Sequence, residues 1–299
     1  MPPNTSARRA IVTKMHGSHN TFVLLDGRSP AGHADTITIL DEPLKVTDAG
    51  VTSRAYVELA RTLCAADGPM SGADGLLVLS DAADANDADV AVQIVNADGG
   101  EAEMCGNGMR CVARYLWERG AGDAFALETR AGRITATVTA REPFEATIDV
   151  GAVTFPRAAE EERLDVAGHT WRYYDVSVGN PHAVVFATAV EDVTDRQFAT
   201  IGNAFKEQRR FPDGVNVHVV QPVDAQTLRV RHYERGAGLT AACGTGAVAC
   251  AAAAIVTRGY ASPVTVCVPG GTLHVAWQSG TSARLSGPAV TLFEREITW

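Results

Sequence analysis

The chain has 299 residues, 46% of them hydrophobic, which is enough for one large domain or two ordinary ones with packed cores. The formal net charge of −9 argues against nucleic acid or an anionic membrane surface as a partner, because both attract basic protein surfaces. No apolar run is long enough to span a bilayer, and the start of the chain lacks a signal-peptide pattern, so we expect a cytoplasmic protein.

The first half of the chain alternates strand and helix patterns. Residues 11–27 read as two strands joined by a tight turn, and residues 51–66 have helical spacing, with Thr52 or Ser53 as the cap. A second helix is predicted from Gly108 to Glu118, directly after a cysteine-containing turn. The remaining predicted strands of this half are 76–80, 91–96, 124–129, 134–139 and 146–150.

The second half repeats this order of elements. A strand, a turn and a strand are predicted over residues 171–186, a helix over 192–205, and a second helix from Thr245 to Thr257 after another cysteine-containing turn. The other predicted strands are 214–220, 227–233, 263–269, 272–277, 282–287 and 291–297.

Landmarks recur in the same order in both halves. Asp74-Gly75 is matched with Asp213-Gly214, Cys105 with Cys243, and the turn at Gly17 to Asn20 with Gly179-Asn180. The pattern indicates a duplication, which predicts an α+β protein of two pseudo-symmetric domains. In each, a mostly antiparallel sheet wraps around a central helix. The predicted domains are residues 1–149 with 288–299, and residues 150–287.

The two cysteine turns carry the chemistry. Each has a cysteine, a Gly-x-Gly and then an apolar helix, and each has a polar residue nine positions before the cysteine, Asn96 or Glu234. The first N–H groups of a helix have no partners inside it, and with the helix dipole they form an anion site. The same helix ends lower the pKa of a cysteine placed there.

Two such turns suit proton exchange at the α-carbon of an amino acid. The helix-end amides hold the carboxylate, one sulfur removes the α-proton as a thiolate, and the other delivers a proton to the opposite face as a thiol. We therefore expect Cys105 and Cys243 to face each other across one site. A single cysteine before Gly-x-Gly is more often a small buried residue at a tight turn, so this prediction depends on the matched pair.

The remaining cysteines are interpreted as structural thiols. No pair forms Cys-x-x-Cys, and no cysteine–histidine spacing matches a zinc site, so neither a disulfide nor a metal is predicted. These thiols are Cys64, Cys111, Cys250 and Cys267.

The motifs M-C-G-N-G-M-R-C, E-R-G-A-G-L-T-A-A-C-G-T-G and G-N-P-H resemble those of the diaminopimelate epimerase family. The resemblance runs from Lys14 to the ending G-P-A-V-T-L-F-E-R-E-I, which is nearly the whole chain. It implies the fold of that family and an isomerase that interconverts LL- and meso-diaminopimelate without a cofactor. It also implies a cytoplasmic homodimer that serves lysine and peptidoglycan-precursor synthesis, with Cys105 and Cys243 as the acid/base pair.

The resemblance also assigns the substrate contacts. It implies that helix-end amides hold the reacting carboxylate and that polar side chains bind the rest of the substrate. Arg235 suits a distal carboxylate and Glu234 suits an ammonium group. His182 is expected near a catalytic cysteine, where it tunes the thiol. The implied substrate contacts are Asn20, Asn96, Gly106, Asn107, Asn180, Asn216, Glu234, Arg235, Gly244 and Thr245.

Three loops depart from the family pattern. They contain Ser18-His19, residues 65–71 and Leu239, where the family usually has a glutamate. These changes keep a racemase of the same fold acting on another amino acid as the alternative. A further alternative is a Cys105/His182 nucleophile pair, which leaves Cys243 unexplained. Another is a non-catalytic binding protein, which the loss of one cysteine would favour, and neither cysteine is lost.

Overall fold

The computed structural model describes residues 9–28, 54–166 and 168–298. The chain divides into two compact units, Met1–Ala146 with Ala289–Trp299, and Thr147–Pro288. These bounds lie close to those predicted for the two domains.

The first unit is built on a sheet that contains parallel and antiparallel pairs. Strand β1 pairs antiparallel with β18 and β2, β3 with β4, β4 with β5, and β6 with β7. The parallel pairs are β2–β3 and β4–β6, each of which needs a helical crossover. The elements are β1 (Arg9–Gly17), β2 (Asn20–Asp26), α1 (Arg54–Leu63), β3 (Gly75–Ser80), β4 (Val90–Asn96), β5 (Glu101–Ala102), α2 (Gly106–Glu118), β6 (Ala124–Thr129), β7 (Gly132–Arg141) and β18 (Val290–Thr298).

The crossover helices of this unit differ in burial. Helix α2 packs against β1, β2, β6, β7 and β18, and its first eight residues are all buried. Helix α1 packs on β3 and β4 and buries one face, which includes Tyr56 and Leu63. Helix α2 is therefore the central helix that the sequence predicted. The cap residues Thr52 and Ser53, predicted for α1, lie outside the described residues.

The second unit repeats the pairing scheme of the first. Strands β10–β11, β12–β13, β13–β14 and β15–β16 are antiparallel pairs, whereas β11–β12 and β13–β15 are parallel. Strand β8 (Phe144–Ala152) contains the boundary between the units. The other elements are β9 (Glu162–Val166), β10 (His169–Ser177), β11 (Pro181–Phe186), α3 (Asp195–Lys206), β12 (Asn216–Pro222), β13 (Thr227–Glu234), β14 (Gly238–Thr240), α4 (Gly244–Arg258), β15 (Val264–Val268), β16 (Gly271–Ala276) and β17 (Ser282–Pro288).

Helix α4 is the central helix of the second unit. It packs against strands β10 to β13 and β15 to β17, and its alanine-rich middle is fully buried. Small side chains let the surrounding strands approach the helix on every side. The helix ends at Gly259, whose φ of 71° is the left-handed conformation of a helix stop.

Strand register identifies the equivalent positions of the two units. Gly75 lies opposite Phe22 in β2 and opposite Asn96 in β4. Asn216 lies opposite His182 in β11. Extending the β12–β13 register by one residue beyond the Val217–Tyr233 pair places Asn216 opposite Glu234. Asn96 and Glu234 are thus equivalent. The predicted match of Asp213-Gly214 with Asp74-Gly75 is wrong, because β12 begins at Asn216, which takes the place of Gly75.

The fold class predicted from the sequence is confirmed, because the two units repeat one scheme of a mostly antiparallel sheet with a central helix. Among the described residues, no helix has the length and apolar character needed to cross a membrane.

Candidate active site

Cys105 occupies the N-cap of α2. Its backbone is extended, with φ −142° and ψ 109°, and its carbonyl accepts the first helical hydrogen bond from the Met109 N–H at 2.9 Å. Its sulfur therefore lies beside the N–H groups of Gly106, Asn107 and Gly108, which have no partner within a helix. The thiol is half-buried.

Asn20 links the first hairpin to this helix start. Its Oδ1 lies 3.7 Å from the Cys105 sulfur and accepts from Asn107 Nδ2 at 3.3 Å. Its Nδ2 donates to Asp74 Oδ2 at 2.8 Å, and the same oxygen accepts from the Thr21 N–H. Asp74, which the sequence offered only as a landmark, therefore orients the Asn20 amide so that its oxygen faces the thiol.

Arg110 lies one turn into α2 and is fully buried. It donates to Asn107 Oδ1 at 2.7 Å and to Ser18 Oγ at 3.0 Å. Burial lowers the pKa of Arg110 to about 10, so it stays positively charged at neutral pH; its interactions with Cys111, Cys105 and Glu145 oppose the decrease. The structure thus places a buried cation near the Cys105 sulfur, which the sequence analysis missed.

Asn96 ends strand β4 at the same edge of the sheet as Asn20 and Asp74. Its N–H donates to the Gly100 carbonyl at 2.7 Å, and its side chain is exposed. We call Asn20, Asp74, Asn96, Cys105 to Gly108 and Arg110 the Cys105 half-site.

Cys243 is the N-cap of α4 and reproduces the geometry of Cys105. Its φ is −127° and its ψ 112°, and its carbonyl accepts from the Ala247 N–H at 2.9 Å. The sulfur lies 3.8 Å from Thr245 Oγ1. Only 5% of Cys243 is exposed, so this thiol is more buried than that of Cys105.

The pKa of Cys243 is raised well above that of an ordinary thiol. Burial is the largest cause, and the nearby Glu234 carboxylate adds charge repulsion and a hydrogen bond, whereas Gly246 N–H and Thr245 act in the opposite direction. Cys243 is therefore a protonated thiol at neutral pH. The helix-end effect that the sequence predicted is smaller here than the combined effect of burial and the Glu234 charge.

Asn180 connects the start of α4 to His182. Asn180 Nδ2 donates to Thr245 Oγ1 at 3.4 Å, and its Oδ1 lies 2.8 Å from His182 Nε2. His182 is completely buried, and its Nδ1 lies 2.8 Å from His218 Nε2. His182 reaches the start of α4 through Asn180, and its effect on the thiol stays a prediction.

Asn216 and Arg235 lie at the same sheet edge as Glu234. Asn216 Oδ1 accepts from the Arg235 N–H at 3.1 Å, and its Nδ2 donates to the Pro181 carbonyl at 3.4 Å. The exposed Arg235 donates from Nη1 to the Asp213 carbonyl at 3.0 Å. We call Asn180, His182, Asn216, Glu234, Arg235 and Cys243 to Gly246 the Cys243 half-site.

The three unusual loops have defined structural roles. Ser18 and His19 form the β1–β2 turn with φ of 53° and 63°, a left-handed pair that two-residue hairpins need. Lys14 Nζ binds the loop 65–71 by donating to the carbonyls of Met70 at 2.6 Å and Ser71 at 3.1 Å. Leu239 is 40% exposed on β14.

Two further buried residues escaped the sequence analysis. His218 and His232 face each other across β12 and β13, with their Nδ1 atoms 2.8 Å apart. In the sequence, each is a histidine within an apolar strand run, and this pattern could have indicated a buried imidazole. The predicted core thiols behave as expected: Cys111 and Cys250 are buried, and burial raises the pKa of Cys111 to about 12.

Comparison with known proteins identifies the family. The family model for diaminopimelate epimerase matches residues 12–156 and 174–292. The chain belongs to the diaminopimelate epimerase family. It is 35% identical to the diaminopimelate epimerase of Cupriavidus metallidurans, with 95% of this chain and 96% of that protein covered. It is 38% identical to that of Aromatoleum aromaticum, with 95% and 97% covered.

Solved structures share the fold at low sequence identity. A hydroxyproline epimerase from Agrobacterium vitis superimposes with a TM-score of 0.69 at 18% identity, covering 97% of this chain and 91% of that one. A PhzF-family phenazine biosynthesis protein from Bacillus anthracis gives a TM-score of 0.67 at 14% identity, covering 97% and 99%. Family membership confirms the predicted resemblance and the predicted isomerase class, while the roles of single residues stay predictions.

Proposed function

We propose that the protein epimerises LL-diaminopimelate to meso-diaminopimelate at one α-carbon, using Cys105 and Cys243 as the acid/base pair. The observation that carries this proposal is the pair of equivalent helix starts, each with a cysteine at the N-cap followed by three N–H groups that have no partner within the helix. Such N–H groups hold a carboxylate and stabilise the charge that moves onto it in a carbanion-like transition state. The amides assigned to this task are those of Gly106, Asn107, Gly244 and Thr245.

The two thiols start in different protonation states in this proposal. We assign the role of the base to Cys105, because the buried positive charge of Arg110 lies near its sulfur and favours a thiolate there. Burial and the Glu234 carboxylate raise the pKa of Cys243, so Cys243 is the thiol acid. Cys105 takes the α-proton from one face of the substrate, the Cys243 thiol gives its own proton to the other face, and the two protonation states are thereby exchanged.

Polar side chains at the sheet edges bind the rest of the substrate. The guanidinium of Arg235 retains donors beyond the one on the Asp213 carbonyl, and they suit a distal carboxylate. Glu234 accepts from an ammonium group, and the amides of Asn20, Asn96, Asn180 and Asn216 serve both kinds of group. A substrate with two carboxylates and two ammonium groups matches this set of side chains.

The test of this function is solvent exchange at the α-carbon. We expect the purified protein, with no pyridoxal phosphate or metal added, to convert LL-diaminopimelate to the meso form in D₂O with deuterium at the inverted α-carbon. Histidine, lysine, glutamate and ornithine are screened in parallel, because the same-fold racemase is the competing hypothesis. Turnover of one of these amino acids with none on diaminopimelate would replace the proposal by that alternative.

We further propose that the enzyme works in the cytoplasm as a homodimer, as the family resemblance implies. Its formal net charge of −9 disfavours nucleic acid or anionic lipid as a partner. Light scattering of the purified protein measures the mass of the assembly. A single species of the mass of one chain at working concentrations would contradict the dimer.

A further inference from the structure

Three histidines of the second unit form one chain of hydrogen bonds beneath the start of α4. His182 Nδ1 lies 2.8 Å from His218 Nε2, and His218 Nδ1 lies 2.8 Å from His232 Nδ1. All three side chains are at most 1% exposed. The chain ends at Asn180, whose Oδ1 lies 2.8 Å from His182 Nε2. No carboxylate is among these contacts, so the imidazoles bind one another and a single amide.

The amide of Asn180 sets the direction of every proton in this chain. An amide oxygen only accepts, so His182 donates from Nε2 and accepts at Nδ1. His218 therefore donates from Nε2 to His182 and accepts at its own Nδ1. His232 must then donate from Nδ1. Its Nε2 carries a lone pair and has no hydrogen-bond partner within the described part of the chain.

The opposite direction is less favourable. If every proton moved to the other nitrogen, His232 Nε2 would carry a buried N–H without an acceptor, and buried unpaired N–H groups are rarer than buried unpaired acceptors. His182 would then need a donor at Nε2, so the Asn180 amide would turn over. Its oxygen, in place of its NH₂ group, would face Thr245 and the Cys243 turn.

We propose that His218 and His232 are positioning residues: through His182 they hold the amide of Asn180 with its NH₂ group directed towards Thr245 and the Cys243 turn. This orientation presents a donor to an anionic substrate, whereas the reversed amide would present an oxygen to a carboxylate. The role in binding rests on the proposed function. The direction of the hydrogen-bond chain does not depend on it.

The first unit shows that the fold does not require these imidazoles. By strand register, the positions of His182, His218 and His232 correspond to Phe22, Leu77 and Ile94. A Cβ on Gly108 would lie 3.1 Å from Leu77, and one on Gly246 would lie 2.5 Å from His218, so each helix start contacts the same layer. An apolar pair at the 218 and 232 positions is therefore compatible with this sheet.

The first experiment measures the tautomers without any substrate. In protein labelled with ¹⁵N-histidine, two-bond ¹H–¹⁵N correlation spectra at neutral pH report which ring nitrogen carries the proton, and single substitutions assign the signals. We expect protons on Nε2 of His182 and His218 and on Nδ1 of His232. A proton on Nδ1 of His182, or a doubly protonated ring in any of the three, would overturn the proposal.

The second experiment replaces the pair by the residues of the first unit. His218→Leu with His232→Ile removes the hydrogen bond at His182 Nδ1, so the imidazole that holds the Asn180 amide is no longer fixed in place. We expect KM for diaminopimelate to rise roughly tenfold or more with kcat little changed, because a hydrogen bond made equally in the ground and transition states is lost. His232→Asn, which keeps a donor near the Nδ1 position, is the matched control and is expected to retain the parental KM.

The outcomes separate this proposal from the proposed function. A folded double variant with the parental KM would contradict the positioning role. A protein that shows the expected tautomers but does not turn over diaminopimelate would instead contradict the substrate, and the direction of the chain would stand. Circular dichroism and thermal melting establish that the double variant folds.

Discussion

The Cys105 and Cys243 half-sites share a backbone and differ in charge. Each cysteine caps a buried helix with an extended backbone, and each precedes Gly-x-Gly. At the equivalent strand ends, however, the first unit has the neutral Asn96 and the second has Glu234. Five positions after the cysteine, the first unit has the buried Arg110 and the second has Val248. The two units thus share the backbone geometry of the helix start and differ in the charges around the two sulfurs.

The layer beneath each helix start differs in the same systematic way. It contains Leu77 and Ile94 in the first unit and His218 and His232 in the second, at equivalent positions of paired strands. Two-base catalysis needs one thiolate and one thiol at the start of a reaction cycle. In the proposed mechanism, opposite electrostatic surroundings on a common backbone supply that difference, and substitutions at several positions can test it.

The largest expected effect is the loss of either sulfur. Cys105→Ala or Cys243→Ala should each lower the epimerisation rate by about 100- to 10,000-fold, the usual contribution of a general acid or base. Chiral separation of the diaminopimelate isomers over time measures it. Cys267→Ala is the control, because Cys267 is a half-buried thiol on β15 that belongs to neither half-site. A Cys243→Ala variant with the parental rate would exclude the two-base mechanism.

The second effect is a loss of stability in acid that the histidine layer causes. Burial lowers the pKa of His182 and His232 to about 3, and that of His218 well below the ordinary 6.5. The unfolded chain therefore binds protons that the folded chain does not as pH falls below 6.5. Each histidine should lower the free energy of unfolding by up to about 1.4 kcal/mol per pH unit between pH 6.5 and 3, and the full stability is present above 6.5.

Urea unfolding between pH 7.5 and 5 measures this slope. The variant with His218→Leu and His232→Ile keeps only His182 of the three, so the part of the slope that these histidines contribute should fall by about two thirds. Equal slopes for the parent and this variant would mean that the histidines titrate normally in the folded protein.

The sequence predicted more of the backbone than of the electrostatics. The alternation of elements, the duplication and the start of α4 all follow from local patterns, and the observed α4 begins one residue before the predicted Thr245. The match of Asp74 with Asp213 failed because loops of different length precede β3 and β12, which only strand register reveals.

The residues that determine the charges at the site escaped prediction for a related reason. In the sequence, Arg110 and His218 look like ordinary polar positions. Arg110 bonds to Asn107 one turn away, and its burial depends on the packing of the helix in the fold. His218 is buried against His182, which is distant in sequence. The sequence also placed both thiols at helix ends that lower a cysteine pKa. For Cys243 the expected decrease was wrong, because burial and Glu234 act more strongly.

The third effect compares equivalent glycines in the two helix starts. A Cβ at position 246 would lie 2.5 Å from the His218 ring, which is held by hydrogen bonds on both sides, so Gly246→Ala should lower the free energy of unfolding by about 1–3 kcal/mol. A Cβ at position 108 would lie 3.1 Å from the end of the Leu77 side chain, which can turn away, so Gly108→Ala should cost less. Urea denaturation measures both, and the reverse order would contradict a rigid histidine layer.

The smallest expected effect comes from exchanging the charge between the half-sites. Glu234→Gln removes the carboxylate that raises the pKa of Cys243, so its thiol should ionise at lower pH and react faster with iodoacetamide. Asn96→Asp puts a carboxylate at the equivalent place in the first unit and should slow alkylation of Cys105. A change of about one pH unit in each profile is expected, equivalent to about 1.4 kcal/mol.

Peptide mass spectrometry measures the alkylation of the two cysteines separately at each pH. If both substitutions shift both thiols equally, the strand-end residues do not account for the difference between the half-sites. A shift confined to the altered half-site would show that one side chain at a strand end sets the protonation of the nearby sulfur.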